Sequence, residues 1–365
     1  MLYRAIGLMS GSSLDGLDIA FVEFQEQGGK WTFEIKEAEC LPYANDWREK
    51  LRTATSLSAR EYLLLHSAYG HYTGKQVNAF IEKYGLQYQV AVIGSHGHTS
   101  FHLPAERMTA QLGEGAAIAA ETQLPVVSDL RALDLAFGGQ GAPIVPVGEK
   151  MLMGDSDYFL NIGGIANISC NTEPYIAFDI CPANRVLNLL ANDAGKEMDE
   201  GGELAASGKT DFSLFEKLNQ LDYYRRTWPK SLANEFGTDV VYPMIKKAGL
   251  SLPDALATYT EHIARQTGNA VLALREHTGR REAARMLVTG GGAFNRYLVE
   301  RLSFYLQPSS VSVLVPDEKL VNYKEALVMA FIAVLRWRQE YNVLASVTGA
   351  TRSSIGGALW TGQDA

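Results

Sequence analysis

The residues best suited to binding a charged ligand lie near the start of the chain, in the segment 7–18, GLMSGSSLDGLD. Gly11 and Gly16 permit a tight turn and a close approach of the backbone to a ligand. Hydroxyl groups beside successive backbone N–H groups form a concavity that suits phosphate oxygens. These hydroxyls belong to Ser10, Ser12 and Ser13.

Two carboxylates follow the serines in this turn. Asp15 and Asp18 could hold a hydrated Mg²⁺ against the same phosphates, because Mg²⁺ is usually bound by one or two carboxylates together with water and phosphate oxygens. The segment is neither a Walker loop nor a Rossmann fingerprint. Glycine, serine and aspartate are also the usual residues of an ordinary hairpin loop, so the residue types alone leave both interpretations open.

Two further glycine turns also follow apolar, strand-like segments. They are Gly163-Gly164 and the run Gly290, Gly291, Gly292. Ligands of open α/β folds bind beyond the ends of strands, where such turns lie. The alternative is that each glycine only permits close packing of a strand against a helix.

Asp179 follows the apolar segment Tyr175–Phe178 and precedes Pro182. A carboxylate at the end of a strand can project toward a ligand and act as a general base. It can equally cap a helix, and the sequence 184–190 has a helical pattern. The two interpretations remain open on this evidence.

Three histidines, His96, His98 and His102, invite a metal-site interpretation, since residues two apart on a strand face the same way. No cysteine or carboxylate stands nearby at ligand spacing, so hydrogen bonding to a polar ligand is favoured over a metal. The polar, glycine-rich segment 199–208 is either a solvated loop or a turn that contacts a ligand.

The overall composition limits the classes of protein to consider. The chain has 365 residues, 47% of them hydrophobic, and a formal charge of −8, which is typical of a soluble globular protein of about two domains. The acidic balance argues against a nucleic-acid partner and against an anionic membrane surface. The longest apolar stretch, 326–335, is too short to span a bilayer, and three cysteines without CxxC spacing indicate a reducing, cytoplasmic environment.

The elements that must position these residues repeat in two halves. Strands are predicted over Ala5–Met9, Leu17–Phe24 and Trp31–Leu41, followed by a helix that ends near Tyr84. The second half again begins with strand, glycine turn and strand, from Tyr158. Further strands are predicted at 90–94, 126–128, 175–178 and 286–289, and long helices from Ser251 and over Tyr323–Gln339, the last of them buried. The pattern predicts a duplicated α/β unit.

Eight segments together resemble the anhydro-N-acetylmuramic acid kinase family, a branch of the sugar-kinase, Hsp70 and actin superfamily. They occur in the order of the family and run nearly from end to end of the chain. They are GLMSGSSLDGLDIA (7–20), SHGHT (95–99), VVSDLRALDLAFGGQGAPIVP (126–146), LNIGGIANIS (160–169), AFDICPAN (177–184), DEGGELAASG (199–208), VTGGGAFN (288–295) and SVTGA (346–350).

The resemblance implies an α/β fold of two ribonuclease-H-like, actin-like ATPase domains around a central cleft, with ATP and Mg²⁺ between them. It implies an N-terminal domain of residues 1–137, on which the tail 345–365 packs back, and a C-terminal domain of residues 138–344. The implied partners are the anhydro sugar and ATP, without nucleic acid or membrane, in a cytoplasmic enzyme of peptidoglycan recycling. A homodimer is left open.

The resemblance also assigns residues. Asp179 matches the catalytic aspartate of the family, and Asp15 and Asp18 are the candidate metal ligands. The implied nucleotide-binding residues are Ser10, Gly11, Ser12, Ser13, Leu14, Asp15, Gly16, Gly163, Gly164, Gly290, Gly291 and Gly292. The implied sugar-binding residues are His96, Gln140, Asn184 and Glu325.

The chain departs from the family pattern at two points. Many relatives read Asp-Thr-Gly-Pro-Gly-Asn where this chain reads Asp179-Ile-Cys-Pro-Ala-Asn, so Cys181 and Ala183 must adopt backbone angles that a Cβ permits. Cys181 has no basic neighbour in the sequence and is not expected to act as a nucleophile. Ser12 and Ser13 replace a Gly-Thr pair of many relatives, which affects one expected phosphate contact.

The implied reaction is ATP-dependent phosphorylation of O6 with hydrolytic opening of the 1,6-anhydro ring of anhydro-N-acetylmuramic acid. Two alternatives remain at this point. One is a kinase of the same fold for another anhydro sugar, such as levoglucosan. The other is a nucleotide- and sugar-binding regulator that has lost catalysis.

Overall fold

The computed structural model describes residues 1–362 and contains two sheets with α-helices packed on them. The strands are β1 Leu2–Ser10, β2 Gly16–Gln27, β3 Lys30–Pro42, β4 Val92–Leu103, β5 Met108–Leu112, β6 Val126–Ser128, β7 Tyr158–Ile162, β8 Ile165–Cys170, β9 Ile176–Pro182, β10 Ala284–Thr289, β11 Val311–Leu314 and β12 Ala358–Trp360. The α-helices are α1 Asn45–Arg52, α2 Ala59–Lys83, α3 Gly115–Thr122, α4 Ala132–Ala136, α5 Pro146–Leu152, α6 Asn184–Asn192, α7 Glu203–Ser207, α8 Phe212–Asn219, α9 Tyr242–Lys247, α10 Leu252–Thr278, α11 Arg296–Leu306, α12 Glu318–Trp337 and α13 Ala345–Thr348.

Among the described residues, the first compact unit comprises 1–153 and 323–362. Its main sheet runs β12-β6-β4-β1-β2-β3, and β5 pairs with β4. The β1–β2 and β2–β3 pairs are antiparallel, whereas β4 lies parallel to both β1 and β6. A core of apolar residues fills the space between this sheet and α2 and α3, with Ile6, Tyr69 and Ile118 fully buried.

The second compact unit comprises residues 154–322. Its sheet runs β11-β10-β7-β8-β9, with β7, β8 and β9 antiparallel and β10 and β11 parallel to β7. The two sheets therefore share a five-strand arrangement. In each, three consecutive strands are antiparallel, and two further strands lie parallel to the first of the three (β4 and β6 beside β1, β10 and β11 beside β7). The predicted α/β class with a duplicated unit is confirmed.

Local sequence signals explain where the two longest helices begin. Ser58 and Glu61 form a capping box before α2. Ser251 caps α10, whose first turn contains Pro253, and Gly279 ends it in the left-handed conformation. The predicted start at Ser251 is confirmed, and the predicted helix through Tyr84 ends one residue earlier, at Lys83, with Tyr84 as its cap.

Helix α12 packs unusually close to the first sheet. Residues 326–335 are at most 1% exposed, so the predicted burial of this helix is confirmed. Gly7 and Gly94 face each other on β1 and β4, and a Cβ built on them would lie 1.8 Å from the Ala326 carbonyl oxygen and 2.1 Å from that of Met329. Only glycine therefore allows the backbone of α12 to approach the sheet this closely.

The chain passes from one unit to the other at positions different from those predicted. The predicted divisions were after residues 137 and 344, but the contacts divide the chain after Met153 and Asn322. The reason is that α5 and most of α12 belong to the first unit, where Glu149 and Lys324 form a buried ion pair at 2.9 Å. The backbone of α12 leaves helical angles at Tyr323, the residue where the chain re-enters the first unit.

Two predicted strands also have different bounds in the structure. The strand predicted over 90–94 runs instead from Val92 to Leu103, so the SHGHT segment is part of β4 and not the loop after it. The strand predicted to end at Phe178 continues to Pro182. No α-helix within residues 1–362 is long and apolar enough to cross a membrane.

Candidate active site

The turn between β1 and β2 is accessible to solvent. The strands pair up to Ser10 and Leu17, and residues 11–15 form the turn. The Leu14 N–H donates to the Gly11 carbonyl at 3.3 Å, and Leu14 has a φ of 60°. The exposed members of the turn are Ser12, Ser13 and Asp15. Their polar groups are thus available to a ligand from solution.

Ser10, in contrast, directs its hydroxyl into the first unit. The Tyr43 hydroxyl donates to Ser10 Oγ at 2.7 Å, and His98 Nδ1 lies 3.0 Å from the same oxygen. Tyr43 is hydrogen-bonded in turn to Tyr69, and all four side chains are buried. The predicted role of the Ser10 hydroxyl as a phosphate ligand does not fit this arrangement. A contact from this residue would have to come from its backbone.

Three carboxylates of the first unit, those of Asp15, Asp18 and Glu325, lie near one another. Asp18 is half-buried on β2 opposite Cys40, and burial raises its pKa to about 6. The nearby charges of Glu325 and Asp15 act in the same direction, whereas a hydrogen bond with the Cys40 thiol opposes the shift. The structure thus brings the carboxylates of Asp15 and Glu325 close enough to Asp18 for their charges to act on it.

A cation near Glu325 is Arg131, which the sequence analysis did not single out. Its Nε donates to His96 Nε2 at 2.9 Å and its Nη1 donates to the Gly141 carbonyl at 2.6 Å. Burial lowers the pKa of Arg131 to about 10, while the Glu325 carboxylate acts in the opposite direction. The arginine thus contacts one predicted sugar-binding residue, His96, and feels the charge of another, Glu325.

The tautomer of His96 follows from its two partners. Nδ1 lies 2.9 Å from the Gly97 carbonyl, which can only accept, so this nitrogen carries the proton and Nε2 accepts from Arg131. Burial and the neighbouring guanidinium lower the pKa of His96 to about 3. The imidazole is therefore neutral at physiological pH.

Gln140 lies in a loop held by a buried carboxylate. Asp134 accepts hydrogen bonds from the Gly141 N–H at 2.7 Å and from the Thr348 hydroxyl at 2.6 Å. The Gln140 N–H donates to the Thr348 carbonyl at 2.8 Å, and the residue itself is exposed. Its backbone is fixed while its side chain remains accessible, which is compatible with the predicted contact to a ligand.

The three histidines do not converge on one point. His96 pairs with Arg131, His98 with Ser10, and His102 Nδ1 lies 3.2 Å from the Thr109 hydroxyl. In the described part of the chain, no group of three histidine, cysteine or acidic side chains is placed to hold a metal ion.

The second unit contains the turn Gly163-Gly164 between β7 and β8. Its carbonyl groups accept from the start of α6, since the Ala183 N–H donates to Gly164 at 2.8 Å and the Asn184 N–H to Gly163 at 3.1 Å. Asn184 Nδ2 also donates to the Ile162 carbonyl at 3.0 Å. Asn184 is therefore a neighbour of this turn.

The third turn lies against the second one. Gly290 follows β10, which is paired with β7, and has a φ of 79°. A Cβ built on it would lie 2.7 Å from Asn161 Oδ1 and 2.8 Å from the Ile162 carbonyl oxygen, so no side chain fits. The structure brings the two predicted glycine turns of the second unit together at the ends of neighbouring strands.

A cavity of about 770 Å³ opens beside these turns, within the second unit. This volume lies in the range of small-molecule sites. The lining residues are Asn184, Leu187, Asn188, Met198, Asp199, Glu200, Gly201, Glu203, Gly291, Gly292, Phe294, Asn295 and Arg296. The segment 199–208, for which the residue types left two interpretations, thus contributes to the wall. Asp199 stiffens it by accepting from the N–H groups of Leu204 and Ala205, both at 2.9 Å.

Asp179 lies inside β9, opposite Asn167 of β8, and is half-buried. Its Oδ2 accepts from the Leu232 N–H at 2.9 Å. Burial raises the pKa of Asp179 and the Leu232 hydrogen bond opposes the shift. The helix-cap alternative is wrong, because the residue before α6 is Ala183 and no side chain caps that helix.

The segment 223–232 holds the backbone of Asp179, and the sequence analysis missed it. The Tyr223 hydroxyl donates to the Asp179 carbonyl at 2.6 Å, and the Asp179 N–H donates to the Lys230 carbonyl at 3.3 Å. Lys230 Nζ lies over the Tyr223 ring at 4.7 Å. The only local signal is a cluster of aromatic and basic residues, YYRRTWPK, which also occurs on ordinary solvated surfaces.

The two departures from the family pattern lie at positions that do not need the left-handed backbone conformation of glycine. Neither Cys181 nor Ala183 has a positive φ; Cys181 lies within β9 and Ala183 has a φ of −129°. Burial raises the pKa of the Cys181 thiol well above its ordinary value, so the group stays protonated. This supports the expectation that Cys181 is not a nucleophile.

The family profile described as anhydro-N-acetylmuramic acid kinase matches residues 3–362, across both units. The chain belongs to the anhydro-N-acetylmuramic acid kinase family. The predicted membership is confirmed. The chain is similar to the anhydro-N-acetylmuramic acid kinase of Paramagnetospirillum magneticum, at 33% identity over 97% of this chain and 98% of that protein.

It is also similar to the anhydro-N-acetylmuramic acid kinase of Gloeobacter violaceus, with 35% identity over 96% of each chain. Among solved structures, component A of the (R)-2-hydroxyglutaryl-CoA dehydratase of Acidaminococcus fermentans aligns over 91% of this chain and 97% of its own. The TM-score is 0.46 and the sequence identity 14%. A likeness at that level says nothing about function.

Proposed function

We propose that this protein is an ATP-dependent kinase that opens the 1,6-anhydro ring of anhydro-N-acetylmuramic acid with water and phosphorylates O6. The product is N-acetylmuramic acid 6-phosphate, a reaction of cell-wall amino-sugar recycling. The proposal depends mainly on the burial, raised pKa and hydrogen bonding of Asp179 in a member of this family. This residue is a half-buried carboxyl whose pKa is raised by burial and whose position is fixed by the Leu232 N–H.

The chemistry of the substrate explains why the base must remove a proton from water and not from the sugar. The O6 atom of the anhydro sugar is bonded to C1 and has no proton to remove. Asp179 therefore accepts a proton from a water molecule, whose oxygen bonds to C1 as the C1–O6 bond breaks. O6 then bonds to the γ-phosphorus of ATP, ADP leaves, and the proton passes from Asp179 to solvent.

Each unit contains groups that suit part of a nucleotide. The exposed groups of the turn 11–15 and the paired turns at Gly163 and Gly290 are suited to phosphate oxygens. The 770 Å³ cavity of the second unit is suited to the nucleoside. Because Asn184 lines that cavity, we assign it to the nucleotide and not to the sugar, where the resemblance had placed it.

The acidic residues of the first unit fit a magnesium ion. Asp18 and Asp15 supply the oxygen donors that Mg²⁺ prefers, and the charge of the Asp15 carboxylate contributes, after burial, to the raised pKa of Asp18. The ion, when bound, neutralises charge on the phosphoryl oxygens as the phosphoryl group is transferred. Glu325, whose charge acts on Arg131, is assigned to the sugar hydroxyls.

The test is to incubate the protein with ATP, Mg²⁺ and anhydro-N-acetylmuramic acid in ¹⁸O-labelled water and to identify the products by mass spectrometry. We expect N-acetylmuramic acid 6-phosphate with the label on C1. Label in inorganic phosphate would mean that the protein only hydrolyses ATP. Phosphorylation of levoglucosan in preference to the amino sugar would contradict the proposed substrate.

A further inference from the structure

Lys230 is a half-buried cation whose side chain lies among aromatic rings. Its Nζ lies 4.7 Å from the centre of the Tyr223 ring and 5.6 Å from that of Phe178. Trp228 stacks on Phe178 with the ring centres 5.5 Å apart. Within residues 1–362, Lys230 makes no ion pair with any carboxylate. The ammonium group is thus partly removed from water without an anionic partner.

A second cation lies near it. Burial lowers the pKa of Lys230, and the positive charge of Arg226 acts in the same direction. Arg226 is exposed and likewise has no ion-pair partner among the described residues. Two neighbouring cations, one of them half-buried, repel each other and cost free energy. An arrangement of this kind is stabilised when an anion binds between or beside the two charges.

Lys230 lies close to Asp179, the residue proposed to activate water. The Lys230 carbonyl accepts from the Asp179 N–H, and the ring under its ammonium belongs to Tyr223, whose hydroxyl donates to the Asp179 carbonyl. Lys230 and Tyr223 are therefore both bonded to the backbone of Asp179, so an anion bound by Lys230 would lie near Asp179 in the second unit. Asp179 itself is not the missing partner, because its carboxylate accepts from the Leu232 N–H and lies beyond ion-pair distance of Lys230.

The proposed substrate carries an anion of the right kind. Muramic acid differs from glucosamine by a lactyl ether on O3 that ends in a carboxylate, whereas levoglucosan and anhydro-N-acetylglucosamine are neutral. We propose that Lys230, assisted by Arg226, binds the lactyl carboxylate and so selects the muramic acid derivative over neutral anhydro sugars. This inference rests on the proposed function and deepens it.

The experiment compares two substrates that differ only in this charge. The value of kcat/KM is measured for anhydro-N-acetylmuramic acid and for its lactamide, in which the carboxylate is replaced by a neutral amide. A charge-assisted contact predicts that the unmodified protein prefers the acid by about 10- to 100-fold. In Lys230→Met we expect the ratio of acid to amide to fall to near one, and in Lys230→Arg most of the preference should return.

Two further variants keep the test decisive. Arg226→Ala changes an exposed side chain, so its folding is not in question, and it should reduce the preference for the acid by about threefold. Lys247→Met removes an exposed lysine elsewhere on the second unit and should leave both substrates unaffected.

Three results would overturn the inference. The first is an unmodified protein that accepts acid and amide equally well. The second is a Lys230→Met variant that loses activity toward both substrates in equal proportion, which would mean that Lys230 only supports the position of Asp179. The third is an Arg226→Ala variant with full preference for the acid. A protein that phosphorylates neither substrate would instead refute the proposed function, so the two failures are distinguishable.

Discussion

The turn between β1 and β2 and the turn between β7 and β8 occupy the same place in two sheets of the same strand order. Their surroundings differ. The first turn has exposed serines and lies near Asp18 and Glu325, so its neighbourhood is acidic. The second consists of Gly163 and Gly164, whose carbonyls are bonded to the start of α6.

The two units differ in charge as well as in turn chemistry. In the first unit Arg131 lies near the carboxylate of Glu325, whereas in the second unit the half-buried Asp179 is bonded through its backbone to Lys230, which has a second cation, Arg226, near it. The topology thus provides equivalent positions, and the side chains give each position a separate role. We expect cation and phosphate binding in the first unit, and water activation together with phosphate and nucleoside binding in the second.

The largest effect is expected from Asp179→Asn. The amide oxygen can still accept from the Leu232 N–H, so the fold and ATP binding should be retained. Loss of the general base should lower kcat by about 10² to 10⁴-fold, as measured in a coupled ADP-release assay. Asp239→Asn, at an exposed position of the π-helical segment Phe236–Val241 in the same unit, is the matched control. Unchanged kcat in Asp179→Asn would remove this residue from the reaction.

A comparable effect, on stability instead of turnover, is expected from Lys324→Met. The Glu149 carboxylate would lose the buried ammonium at 2.9 Å, and breaking such a pair costs about 3–5 kcal/mol. The free energy of unfolding is measured with urea, with Lys75→Met on the exposed face of α2 as control. The double variant Lys324→Met/Glu149→Leu should recover much of the loss. If the single variant unfolds like the unmodified protein, the pair does not hold α5 against α12.

Ser10→Ala tests whether this hydroxyl is structural. The buried groups of Tyr43 and His98 would lose a partner, so the free energy of unfolding should fall by about 1–3 kcal/mol. Ser12→Ala, at an exposed position of the same turn, should change stability by less than about 0.5 kcal/mol. The opposite order, with Ser12→Ala the less stable variant, would contradict the inward role of Ser10.

A smaller effect is expected from Gly291→Val, which adds a side chain to the wall of the 770 Å³ cavity. A Cβ at this position has its nearest contact, Asn184 Nδ2, at 3.6 Å, so the fold should tolerate the change. We expect KM for ATP to rise by about tenfold, equivalent to roughly 1.4 kcal/mol, while KM for the sugar stays constant. Ser303→Ala on the exposed face of α11 serves as control. A rise in KM for the sugar instead would assign the cavity to the other substrate.

The smallest effect is expected in the pH dependence of kcat/KM, which should change little near pH 7. A general base works as the carboxylate, and burial raises the pKa of Asp179, so activity should be lost as pH falls through a value above the ordinary one of about 3.9. His96, with a pKa of about 3, and the Cys181 thiol, whose pKa is raised, do not ionise between about pH 5 and 8. An acid limb that persists in the residual activity of Asp179→Asn would belong to another group.

The sequence predicted most of the local structure correctly, because local structure depends on neighbours along the chain. The β1–β2 hairpin follows from alternating apolar residues around a Gly-Ser turn, and the start of α10 follows from Ser251 and Pro253. The strand around Asp179 was the main local error. Residue types alone cannot show that pairing with β8 carries β9 on to Pro182.

The site was predicted less completely, for a related reason. The glycine turns, Asp18 and Asp179 were proposed because their residue types suit the chemistry, and Glu325 was proposed from the family resemblance. Arg131 and Lys230 were missed, since an arginine or lysine in a polar segment is usually solvated. Their importance comes from burial and from partners distant in the sequence, such as Gly141 for one and Tyr223 for the other.

The sequence by itself determined the family, the α/β class, the hairpin turns and the helix caps, because these depend on residue types at short spacing. The tertiary structure alone decided which groups a ligand can reach. Ser10 and Ser12 have the same hydroxyl and lie two residues apart, yet one is directed at His98, 88 residues away, and the other at solvent. That difference arises from packing between distant segments, which no local pattern records.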